Sequence, residues 1–499
     1  MEKIKNILSQ SVVIAKLKQF IMFLISAFQK TFLYKMLFTK INDDALSESL
    51  FGKFCEFNKK LIAWVYNFIE DVWLIKFAKK ILAWDLKPII SGSVVLKWLS
   101  LNGYKYSLIF LFMLLTLFSI SFLPTMIVAG LLGVLFALIF CDKEFSLLGV
   151  KLVSADLFVF LYMIAIFFAR FISIDAQKNQ IYLIYTLFIG SYFILRYYLT
   201  SKEKIKLAMS SLTMGATVVC LVGFLQFITG SYKTTKWTDQ DMFSDIQGRL
   251  VSTFENPNVL GEYLLFIIPF AIAMFLITDK KFWKLVYGCI TLGSLFCMVM
   301  TYSRGCWIGL ILGIGIFVLM LYPKLLIPIG VLAPVSLFFV PESIINRLTS
   351  IGDLSDSSSS YRVWLWKGTL KMLSDIWPSG IGLGTDAYLE CFSLYAYDEV
   401  VAPHSHNTFL HVMCESGIFG IAVFVLLLYF VLRQLFITFK EAKERDSKII
   451  AVAFISALLG LMVQAIFDNT FYNYRMYMLF FAVLSMSSSL YALRKEKEL

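Results

Sequence analysis

From Ser107 onward the chain consists of long, uninterrupted apolar runs, each about as long as a membrane-crossing helix and closed by a short polar break. A helical crossing needs roughly 20 predominantly apolar residues. Runs at 107–123, 125–140, 153–172, 181–199, 206–229, 257–278, 284–302, 304–321, 325–341, 407–432, 449–467 and 471–492 therefore predict about twelve crossings. Pro124 separates the first two, because proline lacks the amide donor that a continuous helix requires. The runs are continuous rather than alternating, which excludes an outer-membrane barrel. With 59% hydrophobic and only 16% charged residues, a soluble domain is excluded as well. The expected fold is an all-α polytopic membrane protein.

The 499-residue chain carries a net charge of +11. On so apolar a chain that excess points to topology and anionic lipid rather than to nucleic acid. Alternate connections are basic: Lys143 and Lys151; Lys202, Lys204 and Lys206; Lys280, Lys281 and Lys284; Lys324; then Arg433, Lys440, Lys443, Arg445 and Lys448. The tail adds Arg494, Lys495 and Lys497. The positive-inside rule puts these connections, and both termini, in the cytoplasm.

Residues 1–105 differ from the rest, with sixteen lysines, no arginine, and aromatic clusters interrupted every few residues by polar side chains. That pattern predicts amphipathic helices on the cytoplasmic face, lysines toward anionic headgroups; one crossing around 18–34 is a further reading. The polytopic domain then occupies 106–499. The basic N-terminus is not followed by a compact apolar stretch with a cleavage site, so it is expected to be retained. The eight cysteines include no CxxC pair and most lie in apolar runs, which argues against a disulfide or metal framework.

Two connections on the opposite side are long, at 230–256 and 342–406. The second holds a Ser-rich turn, a helix-like run (YRVWLWKGTLKML) and a Gly-rich turn (SGIGLGTDAY). A loop of that length with its own secondary structure is usually functional. Five of the ten arginines (Arg249, Arg304, Arg347, Arg362 and Arg475) fall on this side, against the topology signal. The arginine fork binds phosphate or carboxylate oxygens in pairs, which lysine does not. Arg304 lies between two apolar runs, and an ionisable group at membrane depth is a functional candidate by default. All three histidines, His404, His406 and His411, fall in one eight-residue stretch where the long loop re-enters the membrane. An imidazole beside an anion site can accept a proton near neutral pH, and either His404 or His406 can do so. His411 is about 140° further round a helix than His406. Glu415 and Asp468 are carboxylates near the same side that can pair with arginine or histidine.

Four segments in order, GRLVSTFENPNVLGEYL, TYSRGCWIGL, SSSSYRVWLWKGTLKML with WPSGIGLGTDAY, and PHSHNTFLHVMCESGIFG, resemble the O-antigen ligase and O-antigen polymerase family of bacterial membrane glycosyltransferases. The resemblance spans roughly 107–490. It implies a GT-C-like bundle in the bacterial cytoplasmic membrane with one large extracytoplasmic loop. It also implies an undecaprenyl-pyrophosphate-linked glycan donor and a glycan, lipid or protein acceptor. By that resemblance Arg249, Arg304 and Arg362 hold the pyrophosphate. His406, or His404 two residues earlier, assists attack by the acceptor hydroxyl, with Asn256, Asn407 and Glu415 in support. The doubled histidine and the lysine-rich N-terminal segment depart from the family pattern.

Two guanidinium groups in a low-dielectric cavity can stabilise a departing pyrophosphate, and a histidine can serve as base, so no metal or other cofactor is expected. Polymerase and ligase share this donor chemistry. The competing reading is a transporter or flippase of a lipid-linked or anionic substrate, which would commonly show internal repeats and midplane breaks. Here the polar residues cluster on one side. A membrane assembly protein without activity is a third reading.

Overall fold

The structure is a computed structural model that describes residues 48–69, 151–174, 179–233, 246–336, 338, 340–350, 357–397 and 400–495, together with a few isolated positions. Among them the secondary structure is helical, without strands. The helices are α1 (Leu50–Ile69), α2 (Ser154–Ile172), α3 (Asn179–Tyr198), α4 (Lys202–Thr229), α5 (Pro257–Ile277), α6 (Lys281–Met300) and α7 (Arg304–Leu321). They continue with α8 (Leu326–Ser336), α9 (Glu342–Thr349), α10 (Ser357–Ile376), α11 (Thr385–Phe392), α12 (Thr408–Glu441), α13 (Arg445–Phe467) and α14 (Tyr474–Lys495). Nine of these, α2 to α7 and α12 to α14, are long and apolar enough to cross a membrane. The protein is an integral membrane protein. The expected crossings at 107–123 and 125–140, and the alternative at 18–34, lie outside the described residues, single positions apart.

One expected span takes a different form. The run at 325–341 makes a short turn, Pro323–Leu325, and the eleven-residue α8. At 1.5 Å per residue α8 is about 16 Å long, well short of a roughly 30 Å hydrocarbon core. Pro328 within the run removes a helix donor. The segment nevertheless joins opposite ends of the bundle. Tyr322 at its start accepts a hydrogen bond from Arg445, whereas Arg347 beyond its end donates to the Tyr302 carbonyl.

The helix ends fall into two sets. At the basic end, Lys202 and Arg494 pair with Glu444 and Glu441, and Lys206 pairs with Asp446. Just inside it, Asp156 accepts bonds from Arg196 at 3.0 Å and Tyr192 at 2.6 Å, a buried pair whose oxygens are fully engaged. The loop end carries the 342–407 connection.

Local sequence explains where the helices begin. Ser201 and Asn256 cap α4 and α5 through their side-chain oxygens, and Pro257 occupies the first turn of α5, where its missing amide costs nothing. α5 and α13 form the interior of the bundle, and α14 is buried along its whole apolar window. α7 lies directly on α13. A Cβ added at Gly309 would sit 2.4 Å from the Gly460 carbonyl oxygen, and one at Gly313 would sit 2.7 Å from that of Ser456. Lipid provides no hydrophobic drive between helices, so such small residues make close backbone packing the source of adhesion.

α12 breaks at Gly417, whose φ is +64°. The turn and connection at 377–382 fill the break. Ile381 and Gly382 donate to the Cys414 and Glu415 carbonyls, and Ile418 donates to the Trp377 carbonyl. The long loop thus binds the backbone groups that the kink releases. It also has its own core, with Leu365, Met372, Tyr388 and Phe392 packed around Cys414 at the first turns of α12.

Near the chain start, α1 buries Phe51 and Cys55 and exposes Leu50, Phe57 and Trp64. Its Phe51 and Phe54 rings pack on Phe160 of α2.

Candidate active site

At the loop end a cavity of about 560 Å³ opens between α5, α7, α10 and α13. Its lining brings Arg249, Arg304, Arg347 and Arg362 together with His404, His406, Asp468 and Glu262. Tyr361, Trp366 and Tyr472 add aromatic surface. Of the residues singled out in the sequence, Arg249, Arg304, Arg362, His404, His406 and Asn256 line this space, and so does Arg347.

Each arginine is oriented by neutral oxygens. Arg304, the first residue of α7, donates to the Ser350 hydroxyl at 2.9 Å and carbonyl at 3.0 Å, and to the Ser358 hydroxyl at 2.7 Å. The Ser-rich turn thus positions this guanidinium. Arg362 of α10 donates to the Phe467 carbonyl at 2.9 Å, which ties the loop helix to the end of α13. Arg249 donates to the Thr301 carbonyl at 2.7 Å and to Asn258 Oδ1 at 2.8 Å. Burial, reinforced by the positive charges of Arg347 and Arg362, lowers the Arg249 pKa to about 9, which leaves it charged at neutral pH. Adjacent to Arg304, Tyr302 holds a φ of +48°, a conformation that costs a non-glycine residue energy and often marks a functional site.

In the same lining, His406 Nδ1 lies 2.8 Å from Asp468 Oδ1. Asp468 is the residue that ends α13, and His406 immediately precedes the Asn407 cap of α12. Burial raises the Asp468 pKa, but the charge and hydrogen bond of His406 outweigh it and hold the carboxyl below its usual range. The other Asp468 oxygen accepts from Asn258 Nδ2 at 2.8 Å. A continuous chain therefore runs from Arg249 through Asn258 and Asp468 to His406.

The two histidines are distinguished by their bonds. His404 Nδ1 accepts the His406 backbone N–H at 3.3 Å, which puts the His404 proton on Nε2. Burial, with the neighbouring His406, lowers the His404 pKa to about 3, so it is a neutral donor. His406 donates from Nδ1 to Asp468, which leaves Nε2 as an acceptor. Of the pair, His406 has the geometry of a base. Its φ is +45°, and its carbonyl accepts from Trp366 Nε1 at 3.3 Å.

Three expected residues play other parts. Asn407 caps α12 through Leu410 N and donates to the Ile466 carbonyl, joining the starts and ends of two helices. Glu415 lies away from the cavity, where it accepts from Gly384 N at 3.2 Å and faces His411 Nε2 at 3.5 Å. Arg475 is also outside the cavity lining. Asn258, Glu262 and Gln464 line the cavity without having been singled out. The Asn-Pro-Asn motif was the signal for Asn258, since a cap and a residue two positions on both face the helix mouth.

His404, His406 and Asp468 each bring one possible metal-ligand atom within 4.8 Å of the others. Nδ1 of both histidines and both oxygens of Asp468 are engaged in the hydrogen bonds above. Residues 289–425 match the family model for O-antigen ligase.

Over that stretch the chain is similar to the O-antigen ligase family.

The matched stretch takes in Arg304, Arg347, Arg362, His404 and His406, and stops short of Arg249 and Asp468 on either side. The chain is also similar to the teichuronic acid biosynthesis protein TuaE of Bacillus subtilis (strain 168), at 21% identity over 305 residues. That alignment covers 58% of this chain and 61% of TuaE, so it spans about three fifths of the relative's length.

Proposed function

We propose that this protein transfers a glycan from an undecaprenyl-pyrophosphate-linked donor to an acceptor hydroxyl at the outer face of the bacterial cytoplasmic membrane. The observation that carries the reading is the cavity itself, where four arginines and a His406–Asp468 pair line one space of about 560 Å³. Arg304, Arg347 and Arg362, with Arg249 behind them, take the diphosphate, whose charge grows as the glycosidic C1–O bond breaks. His406 Nε2 takes the proton of the acceptor hydroxyl as that oxygen bonds to C1, and Asp468 steadies the imidazolium that forms. The lipid diphosphate leaves, and the proton passes from His406 to solvent or to the leaving group. His404, from Nε2, donates a hydrogen bond into the cavity. Every element of the step is supplied by side chains, so the reaction proceeds without a metal.

The basic end faces the cytoplasm in this reading, by the positive-inside rule. The acceptor is a glycan, a lipid or a protein. Residues 1–105 form a cytoplasmic and interfacial segment ahead of the polytopic domain at 106–499. The exposed Leu50, Phe57 and Trp64 of α1 suit a membrane surface. Transfer is favoured over transport by the α7–α13 contact below the cavity. There Gly309 meets Gly460 backbone to backbone, with no room for a headgroup between them.

The test is direct. Purified protein given the lipid-linked glycan and acceptor releases undecaprenyl pyrophosphate and forms a glycosidic bond. Arg304→Lys and His406→Ala each cut that release by orders of magnitude while the protein stays folded. Normal turnover in both variants would remove the assignment. Lipid translocation in proteoliposomes without bond formation would replace it with the flippase reading.

A further inference from the structure

Asn258 and Glu262 lie one turn apart on α5, as Gln464 and Asp468 do on α13, and the two helices run side by side in opposite directions. The four side chains meet as two rungs. In the upper rung Asn258 donates to Asp468 at 2.8 Å. In the lower, about 6 Å deeper by helical rise, Gln464 Nε2 donates to Glu262 Oε1 at 3.2 Å. The upper rung connects to Arg249 and His406 and belongs to the machinery above. Nothing in that machinery uses the lower one.

The lower rung is incomplete. Glu262 Oε2 and Gln464 Oε1 are buried and have no hydrogen-bond partner among the described residues. Their side chains are 1% and 2% exposed, yet both line the cavity. A carboxyl and an amide at the edge of the hydrocarbon region are costly unless donors satisfy them. A brace between α5 and α13 would require only the bond already made. What remains is two unpaired oxygens on residues that line the same cavity, Gln464 Oε1 lying close against Gly305, one turn beneath His406.

We propose that Glu262 and Gln464 form a subsite for a sugar ring at the reacting bond, each accepting a hydrogen bond from a ring hydroxyl. The proposal rests on the glycosyl-transfer reading and adds to it a determinant of which sugar is accepted. A buried acceptor left unpaired by a ring lacking the hydroxyl penalises that ring far more than a lost apolar contact does. Two rings meet at the reacting bond, the first sugar of the donor and the terminal sugar of the acceptor, and both offer this chemistry.

The experiment uses the full chain in nanodiscs. The probes are undecaprenyl pyrophosphate without sugar, and the lipid-linked glycan extracted from the producing cell after deletion of this gene. Wild type binds the glycan-bearing lipid more tightly than the bare one if the donor ring occupies the subsite. Glu262→Ala and Glu262→Gln then keep bare-lipid affinity within about twofold and weaken the glycan-bearing lipid about tenfold, the worth of about one buried hydrogen bond. If the acceptor ring occupies it, both lipid affinities hold while the acceptor KM rises about tenfold at little change in kcat. Glu262→Gln keeps an oxygen for Gln464 and guards against misfolding of the alanine variant. Unchanged lipid affinities and acceptor KM in both variants overturn the subsite, as does an equal loss for bare and glycan-bearing lipid. Failure of wild type to bind undecaprenyl pyrophosphate overturns the functional reading instead, and the subsite with it.

Discussion

Asp468 closes one membrane helix and, at 2.8 Å, takes hold of His406 at the threshold of another. Sixty-two positions separate the two residues, so their pairing depends on the whole packing of α12 against α13. The bond fixes which imidazole nitrogen carries the proton. Asp468→Asn preserves the shape but lets the amide select the other tautomer. Turnover is expected to fall by about 10²–10⁴, the usual worth of a positioned base. Donor affinity measured on the same preparation stays within a few-fold; loss of donor affinity in parallel would assign Asp468 to binding.

Arg347 makes a second case. It enters the cavity from α9, and nothing about its sequence neighbours distinguishes it from Arg475, which remains outside. Arg347→Ala is expected to weaken binding of undecaprenyl pyrophosphate by about 10–100-fold, the worth of a charge-assisted hydrogen bond. Arg475→Ala should leave it unchanged. Equal effects from the two would mean that general positive charge, not the cavity, attracts the lipid.

Protonation of His404 links stability to acidity. Its pKa is about 3 in the folded protein, against about 6.5 for an unstrained imidazole. The unfolded chain therefore binds the extra proton first as pH falls. The contribution of neutral His404 is complete above about pH 6.5 and declines below it, by at most about 1.4 kcal/mol per pH unit. Asp468, also held low, loses its contribution only below its ordinary value of 3.8. Between pH 6.5 and 4.5 the melting temperature of wild type should drop more than that of His404→Asn. Parallel curves for the two proteins would contradict the buried, neutral imidazole.

The α7–α13 contact predicts a sharp positional contrast. Gly309→Val drives a side chain into the Gly460 carbonyl, while a Cβ at Gly315 meets nothing within 4 Å. Gly309→Val is expected to cost about 1–3 kcal/mol or more, as overpacking does. Gly315→Ala should be neutral or slightly stabilising. Thermal unfolding in detergent of the two variants checks the pair.

Metal chemistry is tested separately. The hydrogen bonds occupy Nδ1 of His404 and His406 and both oxygens of Asp468. EDTA should therefore leave turnover within about twofold of untreated enzyme, the outcome for a base that works by proton transfer alone. Excess Zn²⁺ competes for those groups and should inhibit. Loss of activity in EDTA, restored by one divalent ion, would make the cluster a metal site.

The crossings were readable in the sequence because hydrophobic length is a one-dimensional property. The arginines that oppose the topology signal were readable for the same reason, since charge on that side needs a separate cause. His404 and His406 stood out through scarcity, all three histidines lying together. What could not be read depends on neighbours distant in the chain. The choice of His406 over His404 as base required the Asp468 contact and the His406 amide bond to His404. Glu262 and Gln464 sit in runs whose pattern says only that they are membrane helix, and their shared rung exists only where α5 meets α13. The run at 325–341 has the composition of a membrane helix, but it forms only a short turn and the eleven-residue α8. Glu415, a supporting residue by resemblance, lies away from the cavity, where its side chain and carbonyl accept from Gly384 and Gly382 beside the break at Gly417.

That break divides the machine in two. Above Gly417, the first turns of α12 share a core and backbone bonds with the 357–402 loop; below it, α12 is part of the bundle. His406 and Arg362 therefore ride on one piece, and Arg249, Arg304 and Asp468 are anchored in the other. Any tilt of the loop swings His406 relative to Arg249 and Arg304. The His406–Asp468 bond is one clasp between the pieces, beside those of Arg362 to the Phe467 carbonyl and Arg304 to the Ser358 hydroxyl, so the pairing of His406 and the seating of the loop register together.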